Sequence, residues 1–366
     1  MAPNELRTPS GPFPLFRIGL PLRRTTTNVR SQDPGPVNID VSILIAARNE
    51  EETILRCLQA IDRLDYPTDR YEVLIGNDQS EDKTGELIAD FIRNKPHFRL
   101  FTITERVGKQ AGKANVLAQL AQHAQGRFFL FTDADCEVPS GWISHMLKPF
   151  ERDQIGILTG STQIFGHSVF QKLQAVDWFY GQYLIWQFAN LGIPITAMGN
   201  NMAVRRTAYD TVGGYENLPF SVVEDYQLFT EIIHQRFSFA HLFNAEVLAT
   251  TRPLPNWKSW LQQRKRWMVG ALQLPVYFIV LFLLQLLFYP FMITLAIWYP
   301  SVALAVWMVK FGTQTAQLLW ILNRFRRWDL LPYLIGFEFY LHIGYFISLV
   351  FYLLPTKVVW KGRTYS

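Results

Sequence analysis

Asp133 and Asp135 stand one residue apart at the end of an apolar, aromatic run, FFLFTDADCEVP from Phe128 to Pro139. Side chains alternate along a strand, so the two carboxylates leave its end on the same side. Such a clamp suits a hard divalent cation. Mg²⁺ or Mn²⁺ held by one or two carboxylates fills its remaining positions with water and substrate phosphates. The bare D-x-D also fits a solvated turn, or a cap for a helix from Ser140 onward. The surroundings therefore decide. Further polar groups punctuate the chain: Arg48-Asn49-Glu50, Asn77-Asp78-Gln79-Ser80, Lys113 in Gly112-Lys113-Ala114-Asn115, Glu224-Asp225, and Gln263, Arg266 and Trp267. Taken singly, Asp78 reads as an Asx-turn, Asp225 as an acid in a helix first turn, and the Gln263 to Trp267 group as an interfacial belt.

The elements that would position these groups alternate in type. Val41 to Ala46 (VSILIA), Tyr71 to Gly76, Phe98 to Ile103 and Arg127 to Thr132 read as buried strands. Between them fall a helix capped by Asn49, with Glu50, Glu51 and Glu52 in its first turn, and a helix from Gly112 to His123. A βαβ progression favours a parallel sheet with helices on both faces, and ligands collect at the carboxyl ends of its strands. Three of the polar clusters end those strands, so they are expected to converge on one edge. Beyond Pro139 the spacing predicts a strand at Ile155 to Gly160, a long aromatic helix at Val169 to Asn190 and a strand at Ala197 to Val204. A short helix at Thr207 to Gly214 follows, then a helix opened by Glu224-Asp225, and a pair of short strands at Phe237 to Leu242 and Glu246 to Thr251. Trp257 to Gly270 mixes Trp and Leu with Lys and Arg, a composition that belongs at a membrane interface.

Of the 366 residues, 49% are hydrophobic, but they are unevenly spread. Met268 to Val309 holds no charged side chain, a run of roughly 40 residues against the ~20 that cross a bilayer. Two spans, Ala271 to Pro290 and Phe291 to Val309, are expected there. A third apolar run, Leu330 to Leu354, carries Glu338 and His342 at i, i+4 spacing. Three crossings would leave the basic tail on the wrong side, so a re-entrant third helix, or a further amphipathic crossing near Thr313 to Asn323, is expected to restore the charge bias. The net charge of +5 gathers at Arg264-Lys265-Arg266, Arg324-Arg326-Arg327 and Lys357-Lys361-Arg363, beside apolar segments. These clusters read as headgroup anchors, not as nucleic-acid contacts. Two isolated cysteines give no disulfide framework or zinc spacing. Residues 1–40 read as an N-terminal arm whose prolines interrupt any signal-peptide core, which places the catalytic part in the cytoplasm.

IAARNEE, GNDQSEDKT, GKANVL, FTDADCEVP, VEDYQL and QQRKRW resemble, in order, the motifs of family 2 glycosyltransferases of the GT-A fold. The similarity is to the membrane group that includes ceramide glucosyltransferases and the cellulose, chitin and hyaluronan synthases. It runs from about Val41 to Trp267, and the closing WKGRTY is similar to the ends of bacterial members. The resemblance implies an α/β fold: a GT-A domain (Rossmann-like, mostly parallel sheet) over residues 41–256, an interfacial helix over 257–270, and transmembrane or interfacial helices with a basic tail over 271–366. It implies that Asp78, with Arg48 and Glu50, contacts the base of a nucleotide sugar. Lys113 approaches the nucleotide, Asp133 touches the donor sugar, and Asp135 ligates the metal. Asp225 would be the general base of an inverting displacement. Glu224, Gln263, Arg266 and Trp267 would lie beside acceptor and diphosphate. Gly199-Asn200-Asn201 departs from the Gly-Thr-Gly-like turn of many synthases, which leaves its role open.

The expectation is a multi-pass enzyme of the cell membrane that moves a sugar, from a UDP-sugar first of all, to a lipid acceptor with Mg²⁺ or Mn²⁺. A processive polysaccharide synthase, which would use a glycan acceptor and more spans, is the alternative. A sugar-phosphate nucleotidyltransferase would carry a Gly-rich loop where Ala46-Ala47-Arg48-Asn49-Glu50 stands, and a scaffold or transporter would not need Asp135 and Asp225.

Overall fold

The structure, a computed structural model, describes residues 39–271, 276–360 and 363–365. All but the last two residues of the N-terminal arm, and Lys361 of the tail, lie outside the described residues. The strands are β1 (Val41–Ala47), β2 (Tyr71–Asn77), β3 (Phe98–Thr102), β4 (Phe128–Asp133), β5 (Ile155–Thr159), β6 (Thr162–Ile164), β7 (Asn201–Arg205), β8 (Ser238–His241), β9 (Ala249–Thr251), β10 (Val358–Trp360) and β11 (Arg363–Tyr365). The α-helices are α1 (Ile54–Asp62), α2 (Thr84–Ile92), α3 (Gly112–His123), α4 (Trp142–Leu147), α5 (Val169–Asn190), α6 (Arg206–Thr211), α7 (Gly214–Asn217), α8 (Glu224–His234), α9 (Trp257–Ala271), α10 (Val276–Trp298), α11 (Pro300–Phe325) and α12 (Leu334–Leu353).

Seven of these strands form one sheet in the order β3-β2-β1-β4-β7-β5-β8. Pairing is parallel except where β7 lies antiparallel between β4 and β5. The central strands are apolar on both faces because helices cover both. On one side α1 and α4 bring Cys57, Leu58, Trp142 and Met146 into the core, and on the other α3 and α8 bring Val116, Leu120 and Leu228. Successive strands run outward from β1 in one direction and from β4 in the other, so the winding reverses between them. That crevice is where an open α/β sheet binds its ligand. Register puts Ala46 beside Asp133 and Ala47 beside Asn77, so the three polar clusters do meet on one edge. β7 brings a fourth group there, since Asn201 pairs with Thr132.

Several boundaries differ from expectation. Asn49 caps no helix: its backbone turns left-handed (φ 52), and α1 starts five residues later. The two short strands after α8 do not pair with each other. β8 joins β5 in the main sheet, and β9 joins β6 in a separate ribbon. The apolar run breaks at Tyr299, not at Pro290. Pro300 sits in the first turn of α11, where its missing N–H costs nothing. Pro290 lies inside α10, where the Thr294 hydroxyl donates to its carbonyl at 3.1 Å. Thr313 to Asn323 is the second half of α11 and not a separate element. Among the described residues two segments, Ile279–Trp298 and Trp328–Leu353, are long and apolar enough to cross a membrane.

A buried polar cluster ties these helices together. Glu338 of α12, 2% exposed, takes an ion pair from Lys310 of α11 and a 2.8 Å hydrogen bond from the Tyr289 hydroxyl of α10. His342 lies one turn on, with Nδ1 at 2.9 Å from the Glu338 carbonyl and Nε2 at 3.0 Å from Gln285 Nε2. The far end of α12 is gripped by α9. Lys265, 4% exposed, donates to the carbonyls of Phe351 (3.3 Å) and Leu354 (2.8 Å) and to the Thr356 hydroxyl (2.7 Å). Removing one partner of a buried pair strands the other charge. Lys310→Met is therefore expected to cost about 3 kcal/mol of stability, read as a lower melting temperature in detergent. Adding Glu338→Leu is expected to restore most of it; equal melting of wild type and single variant would show that the pair does not hold the helices together.

Candidate active site at the carboxyl edge of the sheet

At the β1 end, two loops are woven into one cradle. Arg48 Nη1 donates to the carbonyls of Asp78 (2.6 Å) and Gln79 (3.1 Å), and Nη2 reaches Glu81 at 3.2 Å. Asn49 Oδ1 accepts from the Glu81 N–H (2.9 Å), and the Glu50 N–H donates to the Thr84 hydroxyl (2.7 Å). Asn49 and Gln79 both adopt positive φ, 52° and 53°, which lets the two loops face each other. Arg48 thus shapes the turn that carries the buried Asp78.

The centre of the edge is a charge cluster around Lys113. Gly112, at φ 58, turns the chain into α3, and the Lys113 ammonium lies 2.5 Å from Asp133 and 3.2 Å from Glu224. Burial works against this charge, but Asp133, Glu224 and Asp225 outweigh it and raise the lysine's pKa. Asp225, in the first turn of α8, accepts from the N–H of Gly199 (2.7 Å) and of Tyr226 (2.8 Å). Burial, then the neighbouring Glu224, push its carboxyl above the ordinary aspartate range, while Lys113 and the Gly199 bond pull the other way. A Cβ at Gly199 would lie 3.0 Å from the Asp225 Cβ, so a side chain there would press on that carboxylate. The turn left open by the sequence therefore holds a carboxylate through its backbone.

Asp135 stands apart from this cluster and accepts from the Thr251 hydroxyl at 3.3 Å. Among the described residues, no group of three or more His, Cys, Asp or Glu side chains could hold a metal by itself. Asp133 sits on an ammonium, and Asp135 offers the hard oxygen chemistry a divalent cation takes. That donor set fits a cation whose other positions come from phosphates and water, and not a cage made by protein alone.

α9 closes the site. Arg266 Nη1 donates to the Val222 carbonyl at 3.1 Å, just ahead of Glu224. The Trp267 ring lies 5.4 Å from that of Trp178 on α5. All of this surrounds one cavity of about 820 Å³, lined by Arg48, Glu50, Asp78, Lys113, Asp133, Asp135, Glu224, Asp225, Gln263, Arg266 and Trp267. These are the residues singled out in the sequence, brought together from six segments of chain. Trp178, Ile185 and Ile195 also line it, together with Tyr345 of α12. The sequence offered no signal for them, because an indole or isoleucine looks the same in sequence whether it faces core or ligand.

The profile of Glycosyl transferase family 2 matches residues 42–213, and that of Glycosyl transferase family group 2 matches residues 128–355, well over half of the chain. The chain is a family 2 glycosyltransferase. A beta-monoglucosyldiacylglycerol synthase of Trichormus variabilis is 29% identical to the glycosyltransferase over 237 residues, 64% of this chain and 49% of that protein. The probable glycosyltransferase YdaM of Bacillus subtilis is 26% identical over 63% of this chain and 54% of its own length. The glycosyltransferase thus spans about half the length of these curated relatives. A mannosyltransferase of Pyrobaculum calidifontis, solved with GDP-Man and Mn²⁺, superposes with a TM-score of 0.54 at 18% identity, covering 89% of this chain and 92% of the other. It shares the fold.

Lys113 is expected to matter for folding as well as for chemistry. In Lys113→Met, Asp225 loses the cation that opposes burial and Glu224, so its folded pKa rises further above the unfolded one. Stability is then present at low pH and lost as pH rises. The glycosyltransferase variant should melt below wild type at pH 7, by about 2 kcal/mol of stability, and the gap should narrow on going to pH 5. A gap independent of pH would show that the ammonium does not bind these carboxylates in solution.

Proposed function

We propose that the enzyme moves one sugar, or a few, from a nucleotide-sugar donor, a UDP-sugar first of all, to a lipid hydroxyl, with inversion and with the help of Mg²⁺ or Mn²⁺. The observation that carries this reading is the single cavity. It runs from a polar cradle at the sheet edge, past Asp133, Asp135 and Asp225, to an indole wall beside α12. The cradle of Arg48, Glu50 and Asp78 would take the base and ribose. Asp133 would touch the donor sugar, and Lys113 would approach the nucleotide. Asp135 would hold the cation, which neutralises the diphosphate as charge accumulates there. Arg266 would add positive charge at the same place, with Glu224 and Gln263 at the acceptor side and Trp267 as its platform.

In the reaction, Asp225 takes the proton of the acceptor hydroxyl as its oxygen attacks the anomeric carbon. The bond from that carbon to the diphosphate breaks on the opposite face, and its electron pair leaves with the phosphate oxygen. The proton later passes from Asp225 to solvent. Relatives named for diacylglycerol glycosylation support the lipid acceptor. The two apolar helices support a membrane location. In this reading residues 41–256 are the catalytic domain on the cytoplasmic face, 257–270 the interfacial helix and 271–366 a multi-pass module.

The test is nucleotide release in lipid nanodiscs from a panel of UDP- and GDP-sugars, with and without Mg²⁺ or Mn²⁺. One sugar is expected to give metal-dependent turnover that grows with added lipid, and the extracted product should be a discrete glycolipid. A ladder would mean processive synthesis, and silence across the panel would break the donor assignment. Asp225→Ala is expected to lower kcat by about 10²–10⁴-fold. The base must be ionised, and its raised pKa puts the acid limb of the pH–rate profile above the ordinary aspartate value. Glu224→Gln removes a charge that raises it, so the limb should move to lower pH; a limb that does not move would remove Asp225 from the role of base.

A further inference from the structure

Outside the groups given a role above, one buried ion pair stands against the cavity wall. Asp177 of α5 and Arg264 of α9 pair directly, with side chains 10% and 19% exposed. Both line the cavity. Their chain neighbours are the two indoles of the wall: Trp178 follows Asp177, and Trp267 lies three residues, one helical turn, after Arg264. The Arg264 guanidinium also stacks between two rings of its own helix, 4.9 Å from Trp260 and 4.8 Å from Trp267. Trp260 in turn meets Tyr340 of α12 at 6.0 Å.

We infer that the Asp177–Arg264 pair is a positioning device for the acceptor, fixing α5 against α9 so that Trp178 and Trp267 form one rigid wall at the end of the cavity beside α12. The inference rests on the acceptor reading above. Burying an ion pair is a poor way to gain stability, because well-packed apolar residues do as well without the desolvation cost. What the pair supplies is geometry. A planar guanidinium bonded to one carboxylate and stacked on two indoles has a single orientation, and it carries Trp267 with it. Lysine keeps the charge but cannot stack in this way. Neither indole is assigned the proton or the cation, so loosening the wall should weaken acceptor capture more than the chemical step.

The experiment uses the full chain in nanodiscs doped with diacylglycerol and compares wild type, Asp177→Asn, Arg264→Lys and the double variant Asp177→Leu/Arg264→Met, whose apolar pair preserves packing. In each variant the KM for diacylglycerol is expected to rise about tenfold or more, with kcat down less than about threefold and the donor KM unchanged. A second readout needs no acceptor. The near-ultraviolet circular dichroism difference between wild type and Trp178→Phe reports the Trp178–Trp267 pair, and this band is expected to vanish in the Asp177→Asn background. Wild-type acceptor KM in the variants, or an unchanged indole band in folded protein, overturns the inference. If wild type releases nucleotide but glycosylates no diacylglycerol, this acceptor assignment fails and the indole band alone decides on the positioning role.

Discussion

One ammonium holds the centre of this molecule. Lys113 reaches from the first turn of α3 to Asp133 at the end of β4 and to Glu224 at the start of α8, with Asp225 beside it. Without a cation there, three carboxylates would crowd a half-buried crevice, and like charges in such a place drive protons back onto themselves. The same contact joins the first half of the sheet, which carries the cradle, to the segment after β7. Charge balance and the meeting of donor and acceptor sides therefore depend on one side chain.

The rest of the edge is arranged so that backbone, not side chain, does the fastening. Arg48 grips two carbonyls of the Asp78 turn, and Gly199 lends its N–H to Asp225. The loop that carries Asp78 and the carboxyl group of Asp225 are thereby held in set conformations. This is what a site needs if its charges are to be ready before a substrate arrives.

Much of this was legible in the sequence because strand ends announce themselves. An apolar run that stops at Arg48, Asn77 or Asp133 states both the strand and the edge on which its polar residue emerges. The limits of α3 and α5 could be read to the residue from their periodicity. Where the chain relies on distant partners, the sequence was mute. Asn49 looks like a cap until it is seen bonded to Glu81. Pro290 looks like a helix end, yet α10 runs on through it to Trp298. Trp178 is seen to belong to the wall only once Trp267, far along the chain, is found 5.4 Å from it. The partners of β8 and β9 likewise follow from the sheet and not from their own short runs.

The grip of Lys265 on the end of α12 has a consequence for the making of the protein. Its acceptors lie 86, 89 and 91 residues further along the chain. At a synthesis rate of about 5–20 residues per second, this lysine waits on the order of 5–20 seconds with nothing to bind. During that interval α9, which carries Arg266 and Trp267, is held by Arg264 on Asp177 and lacks only its hold on α12. α12, made after all of these, then adds Tyr345 to the lining of the cavity.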